Sequence, residues 1–246
     1  MLTATTAALA AVIFVAYGVQ TATGFGAALI SVTLGAHIAG VADIVLLILA
    51  LSLVQCGYIA VRYRGAIDWR LLGRWIIPVM GAGTAIGAYI AGYLDSETLR
   101  RVLGGLILVL SLAELFASIR RAHAPAKPIT APATAAGLLG AGLMHGVYAA
   151  GGPLLVYTVG RRNLDKAAFR TTITTVWLIL NLALVAYHGA VGNYRPDLLK
   201  VLALVAPAML LGVVAGELVF RRIEGPRFMQ VVFALLAAAA CGLLLR

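Results

Sequence analysis

Charge is what this chain most lacks. Only 11% of its residues are Asp, Glu, Lys or Arg, against roughly a quarter in an ordinary soluble domain. No soluble domain can be cut out of it, because the longest polar stretch, Arg120 to Pro128, is no more than a linker. Cysteine is nearly absent too. Cys56 and Cys241 each stand alone in an apolar segment without Cys-x-x-Cys spacing, which argues for small core residues against a disulfide framework or a thiolate metal site. Histidine is equally sparse: His37, His123, His145 and His188 form no i, i+4 metal pair. Ser31, Ser52, Ser96, Ser111 and Ser118 all lack the Gly-x-Ser-x context of an intramembrane serine hydrolase. Asp43 is the one Asp near an apolar run where an aspartyl type needs a pair. Enzymatic chemistry therefore finds no constellation to stand on, and no cofactor or metal is expected.

Long apolar runs are abundant. They lie at approximately 3–37, 41–61, 71–93, 98–119, 132–160, 169–190, 196–220 and 227–245. Runs of about 20 residues are what a bilayer core demands of a helix. The chain reads as an all-α polytopic membrane protein. Its net charge of +10 does not indicate nucleic acid, since the Lys and Arg residues sit in short loops between spans, where the positive-inside rule places them. Met1 to Gly18 is apolar without a positive leader region and is read as a retained span.

Two of the runs are broken by glycine. The first carries Gly18, Gln20, Thr21, Thr23, Gly24, Phe25 and Gly26; the second carries Gly142, His145, Gly146, Tyr148, Gly151, Gly152 and Pro153. The breaks are expected near 20–26 and 146–153. Non-helical backbone at membrane depth is tolerated only where protein or a watery cavity covers it. Matching broken segments in two halves of a membrane protein point to a transport site. Aligning Gly26 with Gly152 places Gln55 on Asn181, and a three-residue slip later places Gly83 and Gly87 on Gly212 and Gly216. The chain therefore reads as a duplication, with repeats 1–122 and 129–246.

Charge orients the halves. If each broken segment crosses the membrane once, positive loop charge is shared almost equally between the two sides. If each folds back on itself, one side collects Arg62, Arg64, Arg70, Arg74, Arg120, Arg121, Lys127, Arg161, Arg162, Lys166, Arg170, Arg221, Arg222 and Arg227. The other side keeps only Arg100, Arg101, Arg195, Lys200 and Arg246. The second arrangement obeys the positive-inside rule. It predicts two inverted repeats, each a broken, re-entrant hairpin plus three transmembrane helices, with the first hairpin entering from outside and the second from inside. The limb after Pro153 is short, so the second hairpin is expected to be lopsided.

Helices restarting after Gly26 and Gly152, the latter with Pro153 at its first turn, would aim positive partial charge at one central spot and favour a small anion there. Gln20, Gln55, His145 and Asn181 are buried polar groups that need partners, and a bound oxyanion can be one. Interhelical bonding is the alternative, worth about 0.6 kcal/mol per contact. The unbroken-span glycines Gly83, Gly87, Gly212 and Gly216 read as tight helix packing. Thr171, Thr172, Thr174 and Thr175 are expected mostly to bond back to their helix. Arg170, at the start of its span, is either a snorkelling anchor or an anion-attracting residue at the pathway mouth. Glu114 and Glu217 are intramembrane or near-interface acids and so candidates for proton coupling, but a structural role is preferred for both, Glu217 having Arg221 four residues on as its expected partner.

Val19 to Gly26, then Gly151 to Tyr157 and Leu164 to Thr172, together resemble the paired signatures of the sulfite exporter TauE/SafE family of bacterial membrane proteins. One departure is 27–33, which lacks the proline many relatives place there. The resemblance implies a multi-pass protein of the bacterial inner membrane that transports small sulfur-containing anions such as sulfite, sulfoacetate or other organosulfonates. The residues themselves reach only a small anion, a central site and the lipid bilayer as surroundings; a homo-oligomer is compatible with them. The candidate substrate-binding set is Gln20, Thr23, Gly24, Phe25, Gly26, Gln55, His145, Tyr148, Gly151, Gly152, Pro153, Arg170 and Asn181. A passive small-anion channel is the alternative to an alternating-access carrier.

Overall fold

The computed structural model describes residues 4–95, 130–160 and 164–222, with isolated positions among 97–116 and at 162 and 237. Glu114, Ser96, Ser111, Ser118, His123, Cys241, both proposed repeat boundaries and, Ala237 apart, the run at 227–245 lie outside the described residues. Among those described, every regular element is helical: α1 (Ala4–Thr23), α2 (Ala27–Gly35), α3 (Val41–Arg62), α4 (Trp69–Ala91), α5 (Ala131–Tyr148), α6 (Gly152–Val159), α7 (Lys166–Ala190) and α8 (Pro196–Arg222). This is what hydrocarbon requires, because a helix satisfies its backbone groups within itself. By length and apolar character α1, α3, α4, α7 and α8 can each cross a membrane. Within α4, a π-helical turn at Leu72–Ile76 precedes Pro78, whose missing N–H an unbroken α-helix does not accommodate.

The packing is crossed. α1 lies on α8, α5 lies on α4, and α3 lies on α7 at the centre. Glycine makes the first two contacts. A methyl added to Gly216 would sit 2.6 Å from Thr21 Cβ, and one added to Gly142 would sit 2.9 Å from the Thr84 nitrogen. Gly83, Gly87 and Gly212 likewise face backbone of the partner helix, as expected of small residues at membrane helix interfaces. Gly142 and Gly146, which the sequence places at the second break, belong to this group as well. They lie inside regular α5 against α4, and the break itself comes later, at 149–151. In both interfaces contact positions ascend together: Gly142 faces 80–84 and Gly146 faces 84–88, while Gly212 faces 14–18 and Gly216 faces 18–21. Each pair of helices therefore runs parallel.

Each broken segment folds back on itself. α2 packs on α1. Methyls added at Gly137 and Gly140 of α5 would meet Thr158 Oγ1 at 2.6 Å and Leu154 Cδ1 at 3.4 Å, so α6 returns along α5. Both hairpins are lopsided, with limbs of 20 and 9 residues in the first and 18 and 8 in the second.

The two ends of the bundle differ in charge. One end joins the last turns of α3 and α8 to the first turns of α4 and α7, through Lys166 Nζ donating to the Phe220 carbonyl (2.6 Å) and the Asp68 N–H donating to Thr172 Oγ1 (2.9 Å). Arg62, Arg64, Arg70, Arg74, Arg162, Lys166, Arg221 and Arg222 cluster at this end. The opposite end is tied by Arg195 to Asp43 at 2.8 Å and by the Tyr194 hydroxyl to the Leu46 carbonyl at 3.2 Å.

Candidate functional site

The two breaks share one local geometry. At the first, the Gly24 N–H closes on the Gln20 carbonyl at 2.7 Å, with Gly24 left-handed at φ 93°. At the second, the Ala149 N–H closes on the His145 carbonyl at 2.7 Å, with Ala149 left-handed at φ 54°. Gln20 and His145 thus hold the same place in the two tips. This local register differs by one residue from the one that sets Gly26 on Gly152, because Gly26 caps α2 as Gly151 caps α6. Left-handed backbone is inexpensive for glycine and costs an alanine about 1–2 kcal/mol.

The tips meet. A methyl on Gly152 would lie 3.3 Å from the Phe25 ring, so the hairpins approach closely here and an added side chain would push the ring back by a few tenths of an ångström. Between them lies a cavity of ≈ 20 Å³, lined by Gln20, Gly26, Ala28, Leu29, Ile48, Ser52, His145, Ala149, Ala150, Gly152, Pro153, Trp177 and Asn181. That is room for about one water molecule. The first turns of α2 and α6 both border it.

Of the predicted set, Gln20, Gly26, His145, Gly152, Pro153 and Asn181 line the cavity, and the others do not. Gln20 is the best satisfied of all. Its Nε2 donates to Gln55 Oε1 at 2.8 Å, its Oε1 accepts from the Ala27 N–H at 3.1 Å, and Gln55 Nε2 in turn donates to Thr21 Oγ1 at 3.2 Å. Gln55 is thus a strut that fixes Gln20. Thr23 Oγ1 donates to the Val19 and Phe25 carbonyls at 2.9 and 2.8 Å and so folds the tip. The Gly24 carbonyl accepts from Trp177 Nε1 at 2.9 Å. Gly151 presses on the Ala141 carbonyl and the His145 side chain, and Tyr148 is buried away from the cavity lining.

His145 differs. It is 1% exposed, and neither ring nitrogen has a hydrogen-bond partner; Asn181 Oδ1, also on the cavity wall, is likewise unsatisfied. The imidazole stacks on Trp177 at 5.0 Å between ring centroids. A buried polar group without a partner costs about 1–3 kcal/mol, which a polar guest would recover. Sequence reasoning missed Trp177 and Ser52. Spacing held a signal for both: Trp177 lies one helical turn before Asn181, and Ser52 three residues before Gln55.

Arg170 lies behind the first tip, 1% exposed. Its Nη1 donates to the Thr21 carbonyl at 2.9 Å and pairs with Glu217 Oε1 at 3.1 Å. Its guanidinium carbon lies 3.5 Å from the Phe220 ring centroid and 4.4 Å from that of Tyr63, whose hydroxyl donates to Glu217 Oε2 at 2.8 Å. One of the two alternatives for Arg170 is excluded here, and one expectation for Glu217 is corrected. Arg170 does not snorkel, because a backbone carbonyl, a carboxylate and two rings hold it inside. The recorded partners of Glu217 are Arg170 and Tyr63 in place of Arg221, because its carboxylate turns into the bundle. The threonines after Arg170 divide: Thr174 and Thr175 bond back to their helix at 2.8 Å each, while Thr172 accepts from Asp68 and Thr171 Oγ1 has no partner.

Wider cavities lie at both ends of the bundle. One of ≈ 500 Å³ is bordered by Arg70, Arg74, Arg162 and Trp75, and one of ≈ 200 Å³ by Thr5, Asp43 and Arg195.

The family model described as "Sulfite exporter TauE/SafE" matches residues 9–243. The chain is also similar to the "Probable inner membrane transporter protein TsaS" of Comamonas testosteroni, 25% identical over 178 residues that make up 72% of each chain. No solved structure matches.

Proposed function

The chain belongs to the sulfite exporter TauE/SafE family, and from that premise we propose that it is a multi-pass inner-membrane carrier of small sulfur-containing anions, sulfite or an organosulfonate. The observation that carries the reading is the cavity between the touching tips, where two helix N-termini and an unsatisfied histidine converge. Helix N-termini attract an anion without a formal charge in the bilayer, and His145 adds a donor. Asn181 and Ser52 complete the polar wall, Gln20 and Gln55 hold the first tip in shape, and the glycines at the breaks leave room for backbone N–H groups to approach the ligand.

The two halves, 1–122 and 129–246, are read as inverted repeats. The parallel runs of α1 with α8 and of α5 with α4 support this, since they put the start of α1 at the Arg195 end and the start of α5 at the Arg74 end. The arginine-rich end is then cytoplasmic. A cavity sized for one water is too small for an oxyanion, so loading requires a tip to move. That favours a carrier that rocks one hairpin against the other over an open channel. Purified protein in vesicles tests it: a carrier shows counterflow of labelled sulfite or sulfoacetate, whereas electrodiffusive current without trans-stimulation would establish a channel. A thermal-shift series of sulfite, sulfate, sulfoacetate, taurine and simple carboxylates identifies the anion class, and stabilisation by none of them would overturn the assignment.

A further inference from the structure

Arg170 uses only part of its bonding capacity. Both bonds recorded for its guanidinium are made by Nη1, whereas Nε and Nη2 are buried and have no partner. The Nε–Nη2 edge is a face with which a guanidinium makes two parallel bonds to two oxygens of one oxyanion. The cation is shared with a carboxylate, Glu217, that is itself 8% exposed and lies on the last turns of α8 near the arginine-rich end.

We propose that Glu217 is the proton-binding residue of this carrier, and that the transported anion and the Glu217 carboxylate compete for Arg170. As it stands, the Arg170–Glu217 pair is neutral. An anion drawn to the free edge would leave one uncompensated negative charge in a low-dielectric interior, the arrangement membrane proteins avoid most strongly. One proton on a Glu217 oxygen restores neutrality: guanidinium positive, guest negative, carboxylic acid neutral. The proton comes from water at the nearby end of the bundle, and no covalent bond to the anion forms or breaks. The carrier then moves one proton with each monoanion, in the same direction.

The neighbours of the carboxylate are consistent with this role. From α3 come Tyr63, bonded to Oε2, and Arg62, whose guanidinium carbon is 5.3 Å from the Tyr63 ring centroid. From α7 come Arg170 and Lys166, the latter over the Phe220 ring at 4.5 Å. Along α8 itself Arg221 follows by one turn, and α1 contributes the Thr21 carbonyl, which faces Arg170. These are the charged groups that an arriving anion would meet beside the pair.

The inference rests on the anion-carrier reading, and the experiment separates the two. Methanesulfonate is the probe, because its charge does not change with pH and it cannot ferry protons itself. Vesicles holding wild-type protein and an internal pH dye, but no internal substrate, are given external labelled methanesulfonate, and a second set preloaded with unlabelled methanesulfonate reports counterflow. Net uptake accompanied by acidification of the lumen is expected in the first set, whereas in the second each proton carried in is matched by one carried out. In E217Q, a neutral mimic of the protonated acid, counterflow is expected to persist while acidification in the first set falls to the leak of empty vesicles. Wild-type net uptake without acidification, or acidification retained in E217Q, would overturn the proton role. Absence of wild-type counterflow with methanesulfonate and with sulfite would overturn the carrier reading and this inference with it. Infrared difference spectra of the wild type guard against a poorly folded variant. Adding methanesulfonate at neutral pH is expected to raise a protonated-carboxyl band, and its absence counts against Glu217.

Discussion

At the first hairpin tip the amide of Gln20 is taken at both ends, by Gln55 and by the Ala27 N–H. At the second, His145, which occupies the equivalent place, has neither nitrogen satisfied. The first tip is also clasped from outside, by Trp177 on the Gly24 carbonyl and Arg170 on the Thr21 carbonyl, two donors spaced two turns apart on α7. The same bend has thus been completed in two ways. A tip whose polar groups are all partnered is a fixed wall, and one that leaves a buried imidazole unpaired offers bonding capacity to a guest. On the proposed reading the first tip gives support and the second gives ligand contact, within one cavity.

Substitutions can break that comparison. The largest effect is expected from His145→Ala. Losing one hydrogen bond to a charged ligand, worth about 1.5–3 kcal/mol, weakens anion binding roughly ten- to a hundredfold. No close hydrogen bond holds the imidazole, so its removal costs the folded protein only its packing against Trp177, and the unfolding temperature without ligand should fall less than in Gln20→Ala. Gln20→Ala is expected to do the reverse: it leaves the Ala27 N–H without its partner and Gln55 Oε1 with only the weak Cys56 thiol donor, at a cost of about 1–3 kcal/mol read as a fall in unfolding temperature in detergent. Were Gln20→Ala to leave stability untouched and abolish binding, the two tips would be equivalent after all.

Backbone strain sharpens the contrast further. Gly24→Ala must hold φ 93° with its new methyl 3.1 Å from Arg170 Cα, and should lose about 1–2 kcal/mol of stability. Ala149→Gly relieves left-handed strain at the other tip and should gain up to about 1 kcal/mol, the relief being partly offset by glycine's extra freedom when unfolded. The smallest effect is expected from Trp177→Phe, which keeps a ring beside His145 but removes the donor to Gly24. A loss of about 1 kcal/mol in stability, with anion affinity within a fewfold of wild type, would place Trp177 with the support.

Much of this architecture was legible beforehand, for reasons that can be named. Hydrocarbon tolerates few backbone conformations, so long apolar runs read directly as helices and clustered glycines inside them as breaks. Gly83 and Gly212 read as packing residues because small side chains at membrane helix interfaces have few other uses. Gly142 and Gly146 were harder, since a glycine that admits a neighbouring helix and one that bends the chain look alike until the neighbour is known. The roles of Arg170 and Glu217 were the least legible. Their pairing spans 47 positions, and the nearer Arg221 offered a local explanation that the fold does not use.

The sequence alone determined the helices, the two broken hairpins and the scarcity of polar groups between them, because local chain physics in lipid admits little else. Only the tertiary structure decided which of those polar groups are left over. Gln20 is satisfied by a residue 35 positions away, and His145 is buried without a partner. Hydrogen-bond saturation belongs to packed neighbours, and no single helix carries the record of who its neighbours will be.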